Sequence, residues 1–437
     1  MNTLDRRTFL KQSAVGAAAV AGGLYLGGCA PGYNTGATRT LNFWAFSETR
    51  TAWQEQAWEL YKREKRPDFN IEFLILPYSQ MHDKIMITAQ AGSGGPDIAD
   101  IEIGQFGRFT KGDIIFEELT PRLQQMGMLD KLYRGSALDP WSFNGRAYGI
   151  GNELNSVLLS YKWQAWEAAG IQTPINDWSD FAESARAYKE KTGKYLIDFP
   201  FTDSGSFFNM TLQQGVGFLG REGRPTLNTP EGVRSLSYQQ DALRDGGAIR
   251  RPAGQSYNAA LQSGDIASLV GPAWNFSGFV QQNLPDTAGQ WHLQAMPVWE
   301  ASESVPTSTQ GGTGVTVLTT SQFVEEALDF VLWEHTTTEA VMFDFLERQV
   351  WPTFRPAFED PRLTAPIPFF DNQRVGELIQ QVSPEIPTQY NGPFYPETSA
   401  ALLREGVTPA ILEFVPAEQA LAAAQTEAEK IIEFESA

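Results

Sequence analysis

The segment Leu41-Asn42-Phe43-Trp44-Ala45-Phe46 alternates in a way that is typical of a β-strand. After it, Thr51–Arg66 has apolar residues at helical spacing and stops before Pro67, and Asn70–Leu76 again has the pattern of a strand. A strand, a helix and a second strand in this order predict a βαβ unit. Such units build open, mostly parallel sheets, so we predict an α/β protein.

The alternation of helices and strands continues along the rest of the chain. Further strands are predicted at residues 97–101, 156–161, 267–270 and 314–318. Further helices are predicted at residues 80–91, 162–169, 178–192, 229–245, 321–333, 338–348 and 417–436. The Pro-dense region 352–396 is predicted to be rich in loops. Ligands of open α/β sheets bind beyond the carboxyl ends of the strands, so we look there for a site.

The first thirty residues have the features of an export signal. The segment Arg6-Arg7-Thr8-Phe9-Leu10-Lys11 precedes an uncharged stretch rich in Ala and Gly, which ends at Leu26-Gly27-Gly28-Cys29. The pattern resembles a bacterial twin-arginine (Tat) lipoprotein signal, although Asp5 stands where Ser or Thr is usual. We interpret residues 1–28 as a signal peptide and residues 29–40 as a lipidated tether. An uncleaved N-terminal anchor is the alternative.

Cys29 is the only cysteine in the sequence, which excludes an internal disulfide and a thiolate zinc site. Lipidation of Cys29 would anchor the protein to a membrane, facing the periplasm or the cell exterior. A free thiol in an unprocessed leader is the other interpretation. The formal net charge of −19 disfavours nucleic acid as a partner and favours a neutral or cationic solute. The 437 residues exceed what one core usually supports, so we expect two lobes.

Motifs of enzymes are missing from the sequence. We find no Gly-x-Ser-x-Gly elbow, no phosphate-binding Gly-Lys-Ser/Thr loop and no full dinucleotide fingerprint. His82, His292 and His335 lack metal-ligand spacing, and alternation along a strand sends Asp97 and Glu102 to opposite faces. We therefore predict a protein that is not an enzyme and binds neither a metal nor a cofactor. A glycosidase needs only two suitably spaced carboxylates and stays an alternative.

Several short segments match one known family in the family's own order. They include Gly95-Pro96-Asp97-Ile98, Asn144–Gly151, Gly271-Pro272-Ala273-Trp274, Gly311–Val315 and Trp351–Arg355. Together they make the chain resemble the extracellular solute-binding proteins of ABC importers, family 1, whose best-known members bind maltodextrins and other sugars. The resemblance implies a two-lobed, type II periplasmic-binding-protein-like fold. Each lobe would be a mostly parallel sheet flanked by helices, with the ligand cleft between the lobes.

The resemblance also implies the domain organisation and the function. The first lobe would comprise residues 41–152 and 296–333, and the second residues 153–295 and 334–437. The crossings would lie near residues 153–155, 291–296 and 329–333. The lobes would close by a hinge over a sugar or oligosaccharide, and the monomeric receptor would deliver it to a membrane permease. A lipid-anchored carbohydrate-active enzyme and an adhesion or sensing module without transport are the alternatives.

A sugar requires a flat aromatic platform and several polar side chains around it. Trp274 matches the family's stacking position, and Trp44 stands at the end of the first predicted strand. Phe207 or Phe208 would supply an aromatic contact from the second lobe, and which of them does so is left open. Tyr395 is a further candidate platform. Packing in the core is the alternative role for Trp44.

Polar candidates and a glycine pair complete the predicted site. The polar candidates are Glu48, Glu102, Gln105, Glu153, Asn155 and Arg355. An ordinary solvent-exposed role is the alternative for the acids and for Arg355. Gly311-Gly312 would let the backbone approach the ligand closely. The family often has Trp directly after this pair, where the present chain has Thr313, so no particular sugar follows from the resemblance.

Overall fold

The computed structural model describes residues 39–300 and 303–436. The predicted signal peptide, Cys29 and most of the predicted tether lie outside these residues. The strands are β1 (Arg39–Ala45), β2 (Phe69–Ile75), β3 (Ile98–Glu102), β4 (Ser142–Phe143), β5 (Arg146–Ala147), β6 (Ile150–Gly151), β7 (Val157–Lys162), β8 (Ile197–Phe199), β9 (Ala248–Arg250), β10 (Ser268–Pro272), β11 (Trp291–Ala295) and β12 (Thr313–Val317).

Helices connect and cover these strands. The α-helices are Glu48–Lys65, Tyr78–Ala91, Ile103–Phe106, Thr120–Gln125, Arg134–Ala137, Trp163–Ala169, Trp178–Thr192, Gly205–Leu212, Pro230–Arg244, Gln255–Ser263, Val324–Thr336, Thr338–Arg348, Val375–Val382, Tyr395–Ala401, Thr408–Glu413 and Ala417–Ser436. Short 3-10 helices are Gly107–Thr110, Leu129–Lys131, Asp139–Trp141, Pro285–Thr287, Arg355–Glu359, Pro368–Phe370 and Ser383–Glu385. Asn275–Gln281 and Leu402–Val407 are π-helical. None of the helices within the described ranges is long and apolar enough to cross a membrane.

The first sheet has five strands in the order β2-β1-β3-β12-β6, and it includes both strands of the predicted βαβ unit. Strand β1 pairs in parallel with β3, with Phe43 opposite Ile98. Strand β12 runs antiparallel to β3 and β6. Phe43 and Trp44 point to opposite faces of β1, and both are buried, because structure covers the sheet on both faces.

A second sheet has the order β10-β7-β11 and is antiparallel throughout. This corrects the prediction that each lobe holds a mostly parallel sheet. The chain enters this sheet along β7, directly from β6 of the first sheet, and leaves it along β11 toward β12 of the first sheet. Strands β7 and β11 must therefore run in opposite directions, because the chain enters and leaves the second sheet at the same end of the sheet. Parallel pairing in this half of the described chain joins β8 to β9 and forms two isolated bridges, between Asp177 and Val298 and between Tyr195 and Ile266.

Two connections between the sheets follow from this topology, at residues 152–156 and 296–312. The first contains residues 153–155, and strand β11 contains residues 291–295. Residues 329–333 lie inside helix Val324–Thr336. The next helix, Thr338–Arg348, packs on Glu48–Lys65, where the Trp53 indole N–H donates to the Ala340 carbonyl oxygen at 3.0 Å. Residues 338–348 therefore contact the half that contains the first sheet.

Candidate functional site

A cavity of about 490 Å³ is lined by residues that adjoin both sheets. Glu102 ends β3 of the first sheet, and Gly311 precedes β12. Trp274 follows β10 of the second sheet. The start of helix Gly205–Leu212 and the helix at Tyr395 close the remaining walls. Its volume is within the range of small-molecule sites, roughly 300–1,000 Å³.

Trp274 presents an aromatic surface at this cavity. Its side chain is 42% exposed, although most large apolar side chains near it are buried. The indole N–H donates a hydrogen bond to the carbonyl oxygen of Gln310 at 3.0 Å. Gly311 has a φ of +73°, and a Cβ atom at this position would lie 3.2 Å from the Trp274 indole nitrogen. The loop before β12 therefore fixes the ring while leaving it open to solvent.

Glu102 provides a carboxylate from the first sheet, whereas Trp274 adjoins the second sheet. One of its oxygens accepts hydrogen bonds from the Gly104 N–H at 2.8 Å and from the Tyr78 hydroxyl at 3.0 Å. The first bond caps the short helix Ile103–Phe106 and explains why the side chain turns toward the end of β3. Burial raises the pKa of Glu102 from its ordinary 4.5 to about 7, and these donors partly oppose the shift.

Three aromatic rings form an apolar wall of the cavity. Tyr395 is stacked on Phe218 with ring centroids 5.7 Å apart, and Phe208 meets Phe218 edge-on at 4.7 Å. The Tyr395 hydroxyl accepts a hydrogen bond from the Gln389 side-chain amide at 3.1 Å. Burial raises the pKa of Tyr395, so its hydroxyl keeps its proton at neutral pH. Phe208, rather than Phe207, lines the cavity.

Sequence reasoning missed several polar residues that line the cavity. Arg251 donates from Nε to Asp198 Oδ2 at 2.6 Å and lies 3.5 Å from a carboxylate oxygen of Asp203, so its charge is compensated. The Asn209 side-chain amide donates to Gln310 at 2.8 Å. No local motif marks Arg251, which follows the short strand β9, or Asn209, which lies on an apolar helix. The one sequence feature that could have indicated a residue of this group is the position of Gln310, directly before the predicted glycine pair Gly311-Gly312.

Two amide oxygens at the cavity have no hydrogen-bond partner among the described residues. They are Oδ1 of Asn209 and Oε1 of Gln389, and both side chains are buried. A buried acceptor without a donor costs free energy, which a donor on a ligand would recover. Both oxygens belong to side chains that line the same cavity as the exposed indole ring of Trp274.

Of the residues predicted for the site, the structure brings five to this cavity: Glu102, Phe208, Trp274, Gly311 and Tyr395. Asn155 contacts a residue that lines the cavity, and Gln105 is linked to the lining residue Glu102 through Tyr78. Gln105 donates to the Tyr78 hydroxyl at 3.2 Å, and Asn155 donates to the Gly311 carbonyl oxygen at 2.9 Å. Gly312 has a φ of +127°, and a Cβ atom there would lie 2.7 Å from the Asn155 side-chain nitrogen. These three residues support the cavity wall.

The other five predicted residues lie elsewhere. Trp44 and Phe207 are buried in apolar clusters. Glu48 is exposed in the first turn of a helix rather than in a loop, because Ser47 caps that helix. Glu153 forms an ion pair with Arg50 at 3.3 Å. Arg355 lies over the ring of Tyr133, with 4.7 Å between the guanidinium carbon and the ring centroid.

Within the described ranges, no three His, Cys, Asp or Glu residues are arranged to hold a metal ion. Two α/β sheets joined by connecting segments, with a cavity between their strand ends, define a two-lobed binding protein of the type II periplasmic fold. The chain belongs to the bacterial extracellular solute-binding protein family, whose model matches residues 42–367.

Several proteins that are named for their ligands are similar to this chain. An arabinooligosaccharide-binding protein of Bacillus subtilis (strain 168) is 29% identical over 345 residues, covering 75% of the present chain and 78% of that protein. A second arabinooligosaccharide-binding protein, from Halalkalibacterium halodurans, is 28% identical and covers 70% and 69% of the two chains. The sugar-binding protein MalE of Xanthomonas citri superposes with a TM-score of 0.78 at 16% identity, covering 91% of this chain and 98% of that one.

Proposed function

We propose that this protein binds a neutral oligosaccharide in the cavity beside Trp274 and delivers it to the permease of an ABC importer. The observation that carries the proposal is the exposed Trp274 ring, fixed through its N–H and placed beside unpartnered amide acceptors. The ring can stack on the C–H face of a sugar, while the acceptors can receive hydrogen bonds from its hydroxyls. The names of the two arabinooligosaccharide-binding relatives support a pentose oligosaccharide as the first ligand to test.

The charges around the cavity favour a neutral ligand. Arg251 is the one cation among its described lining residues, and Asp198 and Asp203 already compensate its charge. Glu102 adds a carboxylate. A phosphorylated or uronic-acid ligand would therefore face uncompensated negative charge, whereas neutral hydroxyl groups would find both donors and acceptors. The remaining N–H groups of Arg251 are available to donate to such hydroxyls.

The test is a thermal-shift screen followed by calorimetry. The chain without residues 1–28 and with Cys29→Ser is titrated with arabino-, malto- and galacto-oligosaccharides, uronates, amino acids and polyamines. We expect stabilisation by one class of neutral oligosaccharide, because a ligand that binds only the folded state raises its stability. A product assay on each hit separates binding from hydrolysis. The proposal would be contradicted if no oligosaccharide stabilised the protein, or if the protein hydrolysed the oligosaccharide that stabilises it.

Export and membrane anchoring form part of the proposed function. We propose that Arg6-Arg7 directs export, that Cys29 carries the lipid and that the receptor acts as a monomer outside the cytoplasmic membrane. Support comes from the signal-like sequence and from membership of an extracellular family. Cys29→Ser should release the protein from membranes with its sugar binding intact. Membrane association of this variant after high-salt washing would contradict lipid anchoring.

The two-lobe closure is also a proposal. It is supported by the two sheets and by connections 152–156 and 296–312, which are the kind of segments that serve as hinges. Small-angle scattering tests it directly, since closure around a saturating sugar should reduce the radius of gyration. An unchanged scattering curve at saturation would argue for binding without closure.

A further inference from the structure

A second cavity, of about 340 Å³, is separate from the ligand cavity, and none of the described residues lines both. Three stretches of chain form its walls: residues 129–136, Arg355 and residues 383–386. They meet because Leu132 pairs with Phe354 in an isolated β-bridge. The cavity therefore joins parts of the chain that are more than two hundred residues apart.

Two guanidinium groups line this cavity, and both have N–H groups that can still donate hydrogen bonds. Arg355 is exposed and makes no hydrogen bond or ion pair with any residue of the described ranges, while its guanidinium lies over the Tyr133 ring at 4.7 Å. The Arg134 side chain is 61% exposed, and its nearest carboxylate oxygen, on Asp139, is 3.7 Å away. This distance is longer than a hydrogen bond. Both groups can therefore still donate to a ligand.

A buried hydroxyl at the same cavity has no partner. Ser136 is 4% exposed, and its Oγ makes no hydrogen bond within the described part of the chain. Burial raises the pKa of Tyr133, so this second hydroxyl at the cavity stays protonated and can donate. Asp130, which is exposed, is the single acid among the described lining residues. The lining thus carries more positive than negative charge in a chain with a net charge of −19.

We propose that this cavity is a binding site for a small oxyanion, a phosphate or a carboxylate, held between Arg134 and Arg355 with the Ser136 hydroxyl as a further donor. Guanidinium groups recognise the oxygens of phosphate and carboxylate through paired, charge-assisted hydrogen bonds. The site is separate from the proposed sugar site and does not depend on it.

The site adjoins the first connection between the sheets. The Tyr133 N–H donates to the Thr353 carbonyl oxygen at 2.9 Å, and the Thr353 N–H donates to the Asn152 carbonyl oxygen at 3.3 Å. On the other wall, the hydroxyls of Ser383 and Ser156 lie 3.2 Å apart. An anion in the cavity would therefore lie one residue away from segment 152–156.

Calorimetric titration with inorganic phosphate, and separately with citrate, tests the proposal. The processed chain with Cys29→Ser is used, and NaCl keeps the ionic strength constant, because non-specific attraction to exposed charges is screened by salt. We expect saturable one-to-one binding with a Kd of about 1 mM or lower. Binding of phosphate alone or of citrate alone would identify which oxyanion the site takes. Absence of saturable binding by both would overturn the proposal.

Matched variants locate the binding. Arg355→Ala and Arg134→Ala should each weaken binding at least fivefold, and Ser136→Ala should weaken it less. Arg146→Ala is the control, because Arg146 is similarly exposed at 64% and lies 3.8 Å from Glu118, so it resembles Arg134 in all but position. Trp274→Ala should bind the anion as the parent does. Equal effects of Arg355→Ala and Arg146→Ala would show that any binding occurs elsewhere.

Discussion

The indole N–H of Trp274 donates to the backbone carbonyl of Gln310, so a ring that follows β10 of one sheet is fixed by the loop that precedes β12 of the other. The contact restricts the ring before a ligand arrives, and this preorganisation reduces the entropy that binding would cost.

Trp274→Ala should therefore lower the affinity for the best oligosaccharide at least tenfold, about 1.4 kcal/mol, while the melting temperature changes little. Calorimetry provides the measurement. Trp163→Ala is the matched control, because Trp163 is half-buried and also donates its indole N–H to a backbone carbonyl, that of Gly289, at 3.0 Å. Similar affinities of the two variants would remove Trp274 from the site.

Gly311→Ala tests the backbone that holds this ring. With a φ of +73°, an alanine is strained by about 1–2 kcal/mol, and its Cβ would press on the Trp274 indole nitrogen. We expect a lower melting temperature and weaker sugar binding. Gly278→Ala is the control, since no atom lies within 4 Å of a Cβ there. If Gly311→Ala bound sugar as tightly as Gly278→Ala, the loop would not position the ring.

Glu102 should make sugar binding depend on pH. Its pKa of about 7 means that the carboxylate, the better acceptor for a hydroxyl, forms as the pH rises through neutrality, so affinity should increase from pH 6 to pH 8. The groups that face it are Tyr78, Tyr395 and His82, whose Nε2 accepts from the Glu102 N–H. Burial lowers the pKa of His82 and raises those of both tyrosines, so it shifts the three pKa values away from neutrality.

The same group affects stability with the opposite sign. Because folding raises the pKa of Glu102, the folded state binds more protons between pH 4.5 and about 7, and the free energy of unfolding of the ligand-free protein falls as the pH rises through this range. Glu102→Gln should make this fall smaller and should remove the pH dependence of affinity. Chemical denaturation and calorimetry at several pH values measure the two effects. An unchanged affinity profile in Glu102→Gln would exclude Glu102 as the titrating group.

A buried ion-pair cluster around Arg50 should contribute to stability. The Arg50 guanidinium donates to Asp100 at 3.1 Å and to Asn152 at 2.6 Å, and it contacts Glu153 at 3.3 Å. Asp100 has no exposed surface, and burial raises its pKa. Arg50→Met would leave this carboxylate unpaired and should lower the free energy of unfolding by about 3–5 kcal/mol.

Denaturant titration checks this value, with Arg186→Ala as the control. Arg186 pairs with Asp245 at 3.3 Å, but both side chains are more than 40% exposed, so its loss should cost about 1 kcal/mol or less. Equal losses of stability in the two variants would contradict the role assigned to the buried cluster.

Local signals predicted the helices best. Helix Trp178–Thr192 was predicted at its observed bounds, since Asp177 caps its first turn and Gly193 ends it with a φ of +72°. Thr338–Arg348 and Ala417–Ser436 were also predicted at their observed bounds. Amphipathic spacing and end signals are encoded within a few residues, so they can be read from one sequence.

Contacts between distant segments were not predictable in this way. The antiparallel second sheet depends on where the two connections leave it, and strands β8 and β9 are too short for alternation to mark them. Trp274 was predicted from the family resemblance and from its position after Gly271-Pro272, whereas Arg251 reaches the cavity only through the pairing of β9 with β8. Trp44 stands at the end of a strand but is covered by helix Tyr78–Ala91, with Lys84 4.6 Å from its ring. Residues at a strand end line a cleft only where no helix covers them.

A crystal structure of the chain with the oligosaccharide that stabilises it most tests the central claim most directly. We predict a sugar ring stacked on Trp274, with its hydroxyls bonded to Glu102, Arg251 or the free amide oxygens of Asn209 and Gln389. An oligosaccharide bound away from Trp274 would contradict the proposed site.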